Sequence, residues 1–174
     1  MRNSWQEKLR LFGLHSIPLL TTLVLMFLFI MPINSIEWGY LRPNVGLICV
    51  FYWTLKRGYI FSYFSAFVVG LLLDVYSSSP LGMNTFLMML TVFATTWLAH
   101  YFQNSSFGVG WFIFALTAIG IIVLKWLMLM IYFGKLISLN EALLNYVSTV
   151  LFYPLIASIN VWTQRFLPQE RISE

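Results

Sequence analysis

Apolar residues run through this chain in six long stretches, separated by short polar interruptions. The stretches cover residues 14–31, 45–55, 59–73, 81–99, 109–133 and 142–162. A helix rises 1.5 Å per residue, so about 20 apolar residues cross roughly 30 Å of hydrocarbon. The first run ends at Pro32, the third stops at Asp74, and Ser77-Ser78-Ser79 lead through Pro80 into the fourth. The second and third runs are short. Either each crosses with little tilt, with Arg42, Lys56 and Arg57 reaching to the interfaces, or the two form one re-entrant hairpin. The pair Lys56-Arg57 would be costly at membrane depth, which favours two full spans. The pattern predicts an all-α fold: a polytopic membrane bundle of six transmembrane helices, forming one integral membrane domain over residues 1–174. The polar segment from Met1 to Gly13 and the tail after Phe166 are expected to be poorly ordered ends. The first run is too long for the apolar core of a cleavable signal, so it is read as a retained span.

Composition sharpens this picture. Of the 174 residues 60% are hydrophobic and only 9% are charged, against roughly 25% charged in an average soluble domain. Most of the folded exterior must then be apolar, which lipid tolerates and water does not. The net charge of +4 does not form a basic face or tract, which argues against nucleic acid. Basic residues instead sit at the ends of apolar runs, as membrane topology requires. Six spans place Arg2, Lys8, Arg10, Lys56, Arg57, Arg165 and Arg171 on one side, and only Arg42 and Lys135 on the other. The positive-inside rule therefore puts both termini in the cytoplasm.

Enzyme chemistry finds little support. Cys49 is a lone cysteine, and His15 and His100 are far apart with no helical metal-binding or nucleophile-elbow signature. There is no glycine-rich phosphate loop, and Asp74 has no second carboxylate beside it in sequence. Neither a catalytic residue, a metal nor a cofactor is expected. The informative positions are different. Ser62, Ala66 and Gly70 recur every four residues, one helical face on which small side chains let two backbones approach. Asp74 continues that stripe, so its carboxylate should face the bundle interior. It is either a latch or partner anchor, or a structural acid bonded to backbone amides of the Ser77-Ser78-Ser79 turn. Ser79-Pro80 has the form of a helix start, with serine as N-cap and proline at the first helical position, and Gly82 would allow close approach. Lys125 lies deep in the fifth run, where an ionisable group marks a functional or pairing role. Asp74, backbone carbonyls and the Trp126 ring are its candidate partners. Pro154 removes one backbone hydrogen bond from the sixth run.

Taken in order, Arg42-Pro43-Asn44, Tyr52-Trp53, Gly70-Leu71-Leu72-Leu73-Asp74 and Ser77-Ser78-Ser79-Pro80-Leu81-Gly82 resemble the signature of the MreD family of bacterial rod shape-determining membrane proteins. Chain length, six apolar runs and a proline in the last run agree with it. Two departures are visible: Lys56-Arg57-Gly58 stands where members carry a proline and a basic residue, and Lys125 lies in a span where an acid can occur. The resemblance implies a non-enzymatic component of the cell-elongation (rod) complex in the inner membrane. It would bind the single-span scaffold MreC and work with MreB, RodA and a penicillin-binding transpeptidase in lateral peptidoglycan synthesis. The family is also similar in fold to the substrate-binding S subunits of energy-coupling-factor vitamin transporters. A vitamin-binding or small-transporter role is the alternative expectation, with a cavity open to the outer side.

Overall fold

The computed structural model describes residues 3–30, 43–77, 79–102, 105–136 and 138–165. The described residues are all-α, with six helices: α1 (Asn3–Ile30), α2 (Val45–Arg57), α3 (Tyr63–Ser77), α4 (Met83–Phe102), α5 (Phe107–Phe133) and α6 (Leu139–Gln164). Three of them, α4, α5 and α6, are long and apolar enough to cross a membrane.

The organising element is the shortest helix. At 13 residues α2 is about 20 Å long, well below the hydrocarbon thickness of a bilayer. Every residue from Val45 to Leu55 is buried, and α2 packs against all five other helices. Around it, α1, α3, α4, α5 and α6 follow one another as neighbours. Phe29 of α1 and Phe152 of α6 meet edge to face at 5.9 Å and close the ring. Burial by protein therefore answers the length mismatch of the second run. A helix sheathed on all sides does not have to match the bilayer. Its aromatics build the core: Phe51 lies 5.2 Å from the Phe114 ring, which stacks on Tyr153 at 4.4 Å.

Specific contacts fix the directions of the helices. The α2 backbone starts beside Thr149 of α6 and ends near its tail, where the Tyr52 hydroxyl donates to Gln164 Oε1 at 2.8 Å. α2 and α6 are thus parallel. The Tyr146 hydroxyl reaches the Ala115 carbonyl, and the Trp111 indole reaches the Val150 carbonyl, so α5 and α6 run antiparallel. Asp74 near the end of α3 meets Thr85 near the start of α4, so these two also run antiparallel.

Two expected boundaries shift. α1 begins at Asn3 rather than at residue 14, because the polar residues ahead of the apolar run continue the same helix instead of fraying. The tail from residue 166 lies outside the described residues. α3 spans Tyr63–Ser77 rather than 59–73. At its start, the Ile60 and Phe61 amides turn back onto the Arg57 carbonyl, and both side chains drop into the core. At its end, Asp74 does not stop the helix, because its charge is directed at α4 rather than at lipid.

Pro154 lies inside α6 without breaking it. Lacking an N–H, it deprives the Val150 carbonyl of its intrahelical donor. The Trp111 indole N–H supplies that donor from α5 at 3.0 Å. In a membrane such a carbonyl needs a protein partner, because no water is there to provide one. Trp111→Phe should therefore destabilise the protein by about 1–3 kcal/mol. In a Pro154→Ala background, where residue 154 donates again, the same change should cost far less. Unfolding of the four proteins in mild detergent measures this, and equal costs in both backgrounds would refute the assignment.

Candidate functional site

The side chains with chemistry gather at the end of the bundle where α2 and α4 begin. Their centre is Asp74, 1% exposed in the last turn of α3. Its Oδ1 accepts from the Asn84 N–H at 2.7 Å and the Ser79 hydroxyl at 3.3 Å. Its Oδ2 accepts from the Gly82 N–H at 2.9 Å, the Thr85 N–H at 3.2 Å and the Thr85 hydroxyl at 2.7 Å. The Gly82 carbonyl already accepts from Phe86, which makes Gly82 the residue that opens α4. Glycine has no side chain with which to satisfy the first amides of its own helix. Asp74 does so from the neighbouring helix, and its negative charge sits at the positive end of the α4 dipole.

Close approach makes this possible. A Cβ on Gly70 would lie 2.4 Å from the Thr85 Cα and 2.9 Å from its N, so only glycine lets the two backbones meet here. Ala66 and Gly70 are buried on the same stripe, whereas Ser62 precedes α3 and is exposed. At Gly70 the stripe serves the approach of α4. Gly82 is glycine for another reason. Its φ is +93° in open space, so conformation rather than room selects it.

The helix start expected at Ser79-Pro80 falls three residues later. α4 begins at Met83, whose N–H donates to the Pro80 carbonyl, and Ser79 caps nothing. Asp74 has taken the capping role, which frees the Ser79 hydroxyl for a side-chain network. Asn84 Nδ2 donates to Ser77 Oγ at 3.0 Å and to Ser79 Oγ at 2.6 Å, and those hydroxyls lie 2.8 Å apart. Asp74 is thus a structural acid on backbone amides, but those of Gly82, Asn84 and Thr85 rather than those of the serine turn.

Asn44 is the second cap. Its Oδ1 accepts from the Leu47 N–H at 3.1 Å at the start of α2, and its own N–H donates to Thr149 Oγ1 at 2.9 Å. Pro43 accepts from the Val45 amide beside it. Arg42 lies outside the described residues. Tyr52 and Trp53 are far from this end. Tyr52 ties α2 to Gln164, and Trp53 is wholly buried, its indole N–H without a partner among the described residues. Pro154 belongs with Trp111, as above.

Between these elements lies a cavity of about 480 Å³. Its lining is polar at Asn44, Asn84, Ser77, Asn145, Tyr76 and Lys125 and apolar at Met26, Phe29 and Leu73. Lys125 therefore faces a cavity inside the bundle, within the electrostatic reach of Asp74. Asn84, Thr85, Asn145 and Thr149 were not singled out by sequence reasoning. Their one sequence signal is an amide or hydroxyl beside a helix start, which is too common to stand out. No three histidine, cysteine or acidic side chains come together among the described residues.

A family model described as rod shape-determining protein MreD matches residues 9–160. No curated protein and no solved structure matches the chain.

Loss of the Asp74 carboxylate should be among the most damaging single changes. Asp74→Leu strands buried donors at about 1–3 kcal/mol each, while Asp74→Asn keeps one acceptor oxygen. Stability in detergent should fall in the order native, Asn, Leu. Gly70→Ala should cost about 1–3 kcal/mol through the backbone clash. An Asp74→Leu protein with native yield and thermal midpoint would remove Asp74 from this role.

Proposed function

The chain belongs to the MreD family of rod shape-determining membrane proteins, and from that premise we propose that it is a non-enzymatic assembly component of the cell-elongation complex. In this reading it lies in the inner membrane with six crossings and both termini in the cytoplasm. It binds the single-span scaffold MreC, and through it associates with MreB, RodA and a penicillin-binding transpeptidase to organise lateral peptidoglycan synthesis.

The family match over residues 9–160 carries this reading. The structure supports it in two ways. The described hydrogen-bonding side chains around Asp74 are occupied with one another, which suits a fixed shape better than turnover. The ring helices also present large exposed apolar side chains, among them Phe93, Trp97, Phe112, Leu116 and Leu151. Contacts with partner spans would form on such surfaces, through packing in lipid.

The cavity beside Lys125 favours a second reading, a small-molecule binder like the S subunit of an energy-coupling-factor transporter. Co-purification separates the two. Expressed with its MreC-type partner and extracted in mild detergent, the chain should recover that partner in a fixed ratio. Recovery of a stoichiometric vitamin-like ligand with no such partner would overturn the assembly reading. Topology is checked separately: a fluorescent reporter on the C-terminus should report the cytoplasm, and alkaline phosphatase joined after Leu136 should be active outside. The reverse pattern would invert the orientation.

A further inference from the structure

The lysine in α5 has no place in the shape-holding network, and its surroundings ask for a ligand. In a 27-residue helix otherwise built of apolar and uncharged residues, Lys125 lies eight residues before the end. That is about 12 Å along the axis. An ammonium at such depth is costly unless an opposite charge or strong acceptors meet it. Among the described residues Asp74 is the acid within electrostatic reach, but both of its oxygens are already taken by donors from Ser79, Gly82, Asn84 and Thr85. Asp74 can lower the cost of the lysine's charge from a distance. It is not free to hold the ammonium.

The cavity supplies the rest. Lys125 lines it together with Asn44, whose Oδ1 is spent on the Leu47 amide, so that its NH₂ is left as a donor. The first turn of α2, from Val45 to Gly46, also forms part of the wall, and a helix start favours negative charge. The same cavity is lined by Met26, Phe29 and Leu73, an apolar surface, with Met26 and Leu73 packed beside Gly46. The volume of about 480 Å³ lies within the roughly 300–1,000 Å³ typical of ligand sites.

We propose that this cavity binds a phosphate-bearing anion, with Lys125 and the Asn44 amide on the phosphate and the Met26, Phe29 and Leu73 wall against any apolar body it carries. Lysine acts as a point charge towards phosphate, and the juxtaposed apolar wall suits an amphiphile. The phosphate can come from a membrane lipid headgroup or from a free anion, and the two sources share this chemistry. The inference does not rest on the assembly reading. A chain that fails to bind phosphate could still recover its MreC-type partner, and the reverse also holds.

The test uses the full chain in mild detergent and reads its thermal midpoint against added ligand. The probes are dihexanoyl phosphatidylglycerol, dihexanoyl phosphatidylcholine, and sodium phosphate matched in ionic strength by sodium chloride. The native chain should be stabilised saturably by phosphatidylglycerol and less by phosphatidylcholine. A matching effect of sodium phosphate identifies a free anion as sufficient, and its absence assigns the headgroup on its acyl body. Lys125→Met should weaken binding at least roughly tenfold, the scale of one charge-assisted contact. Lys125→Arg should retain it, as should Lys135→Met, which alters an exposed lysine beyond α5. Leu73→Trp fills the cavity while leaving the lysine in the sequence and should also abolish binding, so the proposal stays testable if Lys125→Met folds poorly. Equal stabilisation of the native and Lys125→Met proteins, equal response to the two lipids, or no response to any phosphate probe would overturn it.

Discussion

A helix that begins in or beside hydrocarbon must find partners for its first amides within the protein, because water is not there to supply them. α4 meets this constraint through a carboxylate borrowed from the helix before it. The Asp74 oxygens cover the amides of Gly82, Asn84 and Thr85 together, and much of the local sequence follows from that one interaction. Gly70 is glycine because the α4 backbone must come within contact of α3 for the carboxylate to reach. Gly82 is glycine because the chain must turn through positive φ to present its amide. Ser77, Ser79 and Asn84 then satisfy one another around the carboxylate's edge. These residues act as one unit, so their energetic contributions will not add independently.

The same constraint explains why the shortest helix is central. A 13-residue helix exposed to lipid would leave the bilayer mismatched at both ends, but enclosed by five others it meets only side chains. Its start is capped by Asn44 and anchored to Thr149, and its tail is tied to Gln164 through Tyr52. α2 is thereby pinned to α6 at both levels. With α2 in the middle, lipid and partner spans meet the outer faces of the ring helices, while the first turn of α2 opens onto the cavity beside Lys125. Those faces are where packing in lipid can join a shape-determining membrane protein to other spans.

Six helices follow from the apolar runs because hydrophobicity is a property each residue carries wherever it lies. Gly70 was legible for the same reason: a four-residue spacing is local, and this glycine does lie against the α4 backbone, whereas Ser62, at the start of the same spacing, is exposed ahead of α3. What the sequence could not display is who the neighbour is. Asp74 looked like the end of a helix because its partners lie 8 to 11 residues on, across a turn. Ser79-Pro80 looked like the start of one because the competing cap comes from elsewhere. The Trp111 donor for Val150 is 39 residues distant in sequence, and an indole at a helix start is more readily explained as an interfacial anchor. The enclosure of α2 could not be read locally because it depends on all five other helices at once.

Asp74 and Lys125 carry opposite charges at the same end of the bundle, yet the structure uses them differently. An acid and a base in mutual reach usually suggest a salt bridge that closes the matter. Here the acid is saturated by donors from its own side, whereas the base lines a cavity whose other polar wall includes Asn84 and Ser77, two members of the Asp74 network. The network that starts α4 is therefore also a wall of the cavity. Rigidity on that side has a consequence: a ligand entering beside Lys125 would meet a preformed surface rather than have to order one, and preorganisation favours binding without added contacts. Conversely, damage to the carboxylate would reshape the cavity as well as unfasten α4. Structural and ligand-binding roles at this end of the molecule are physically joined, and only substitutions on the lysine or apolar side of the cavity can separate them.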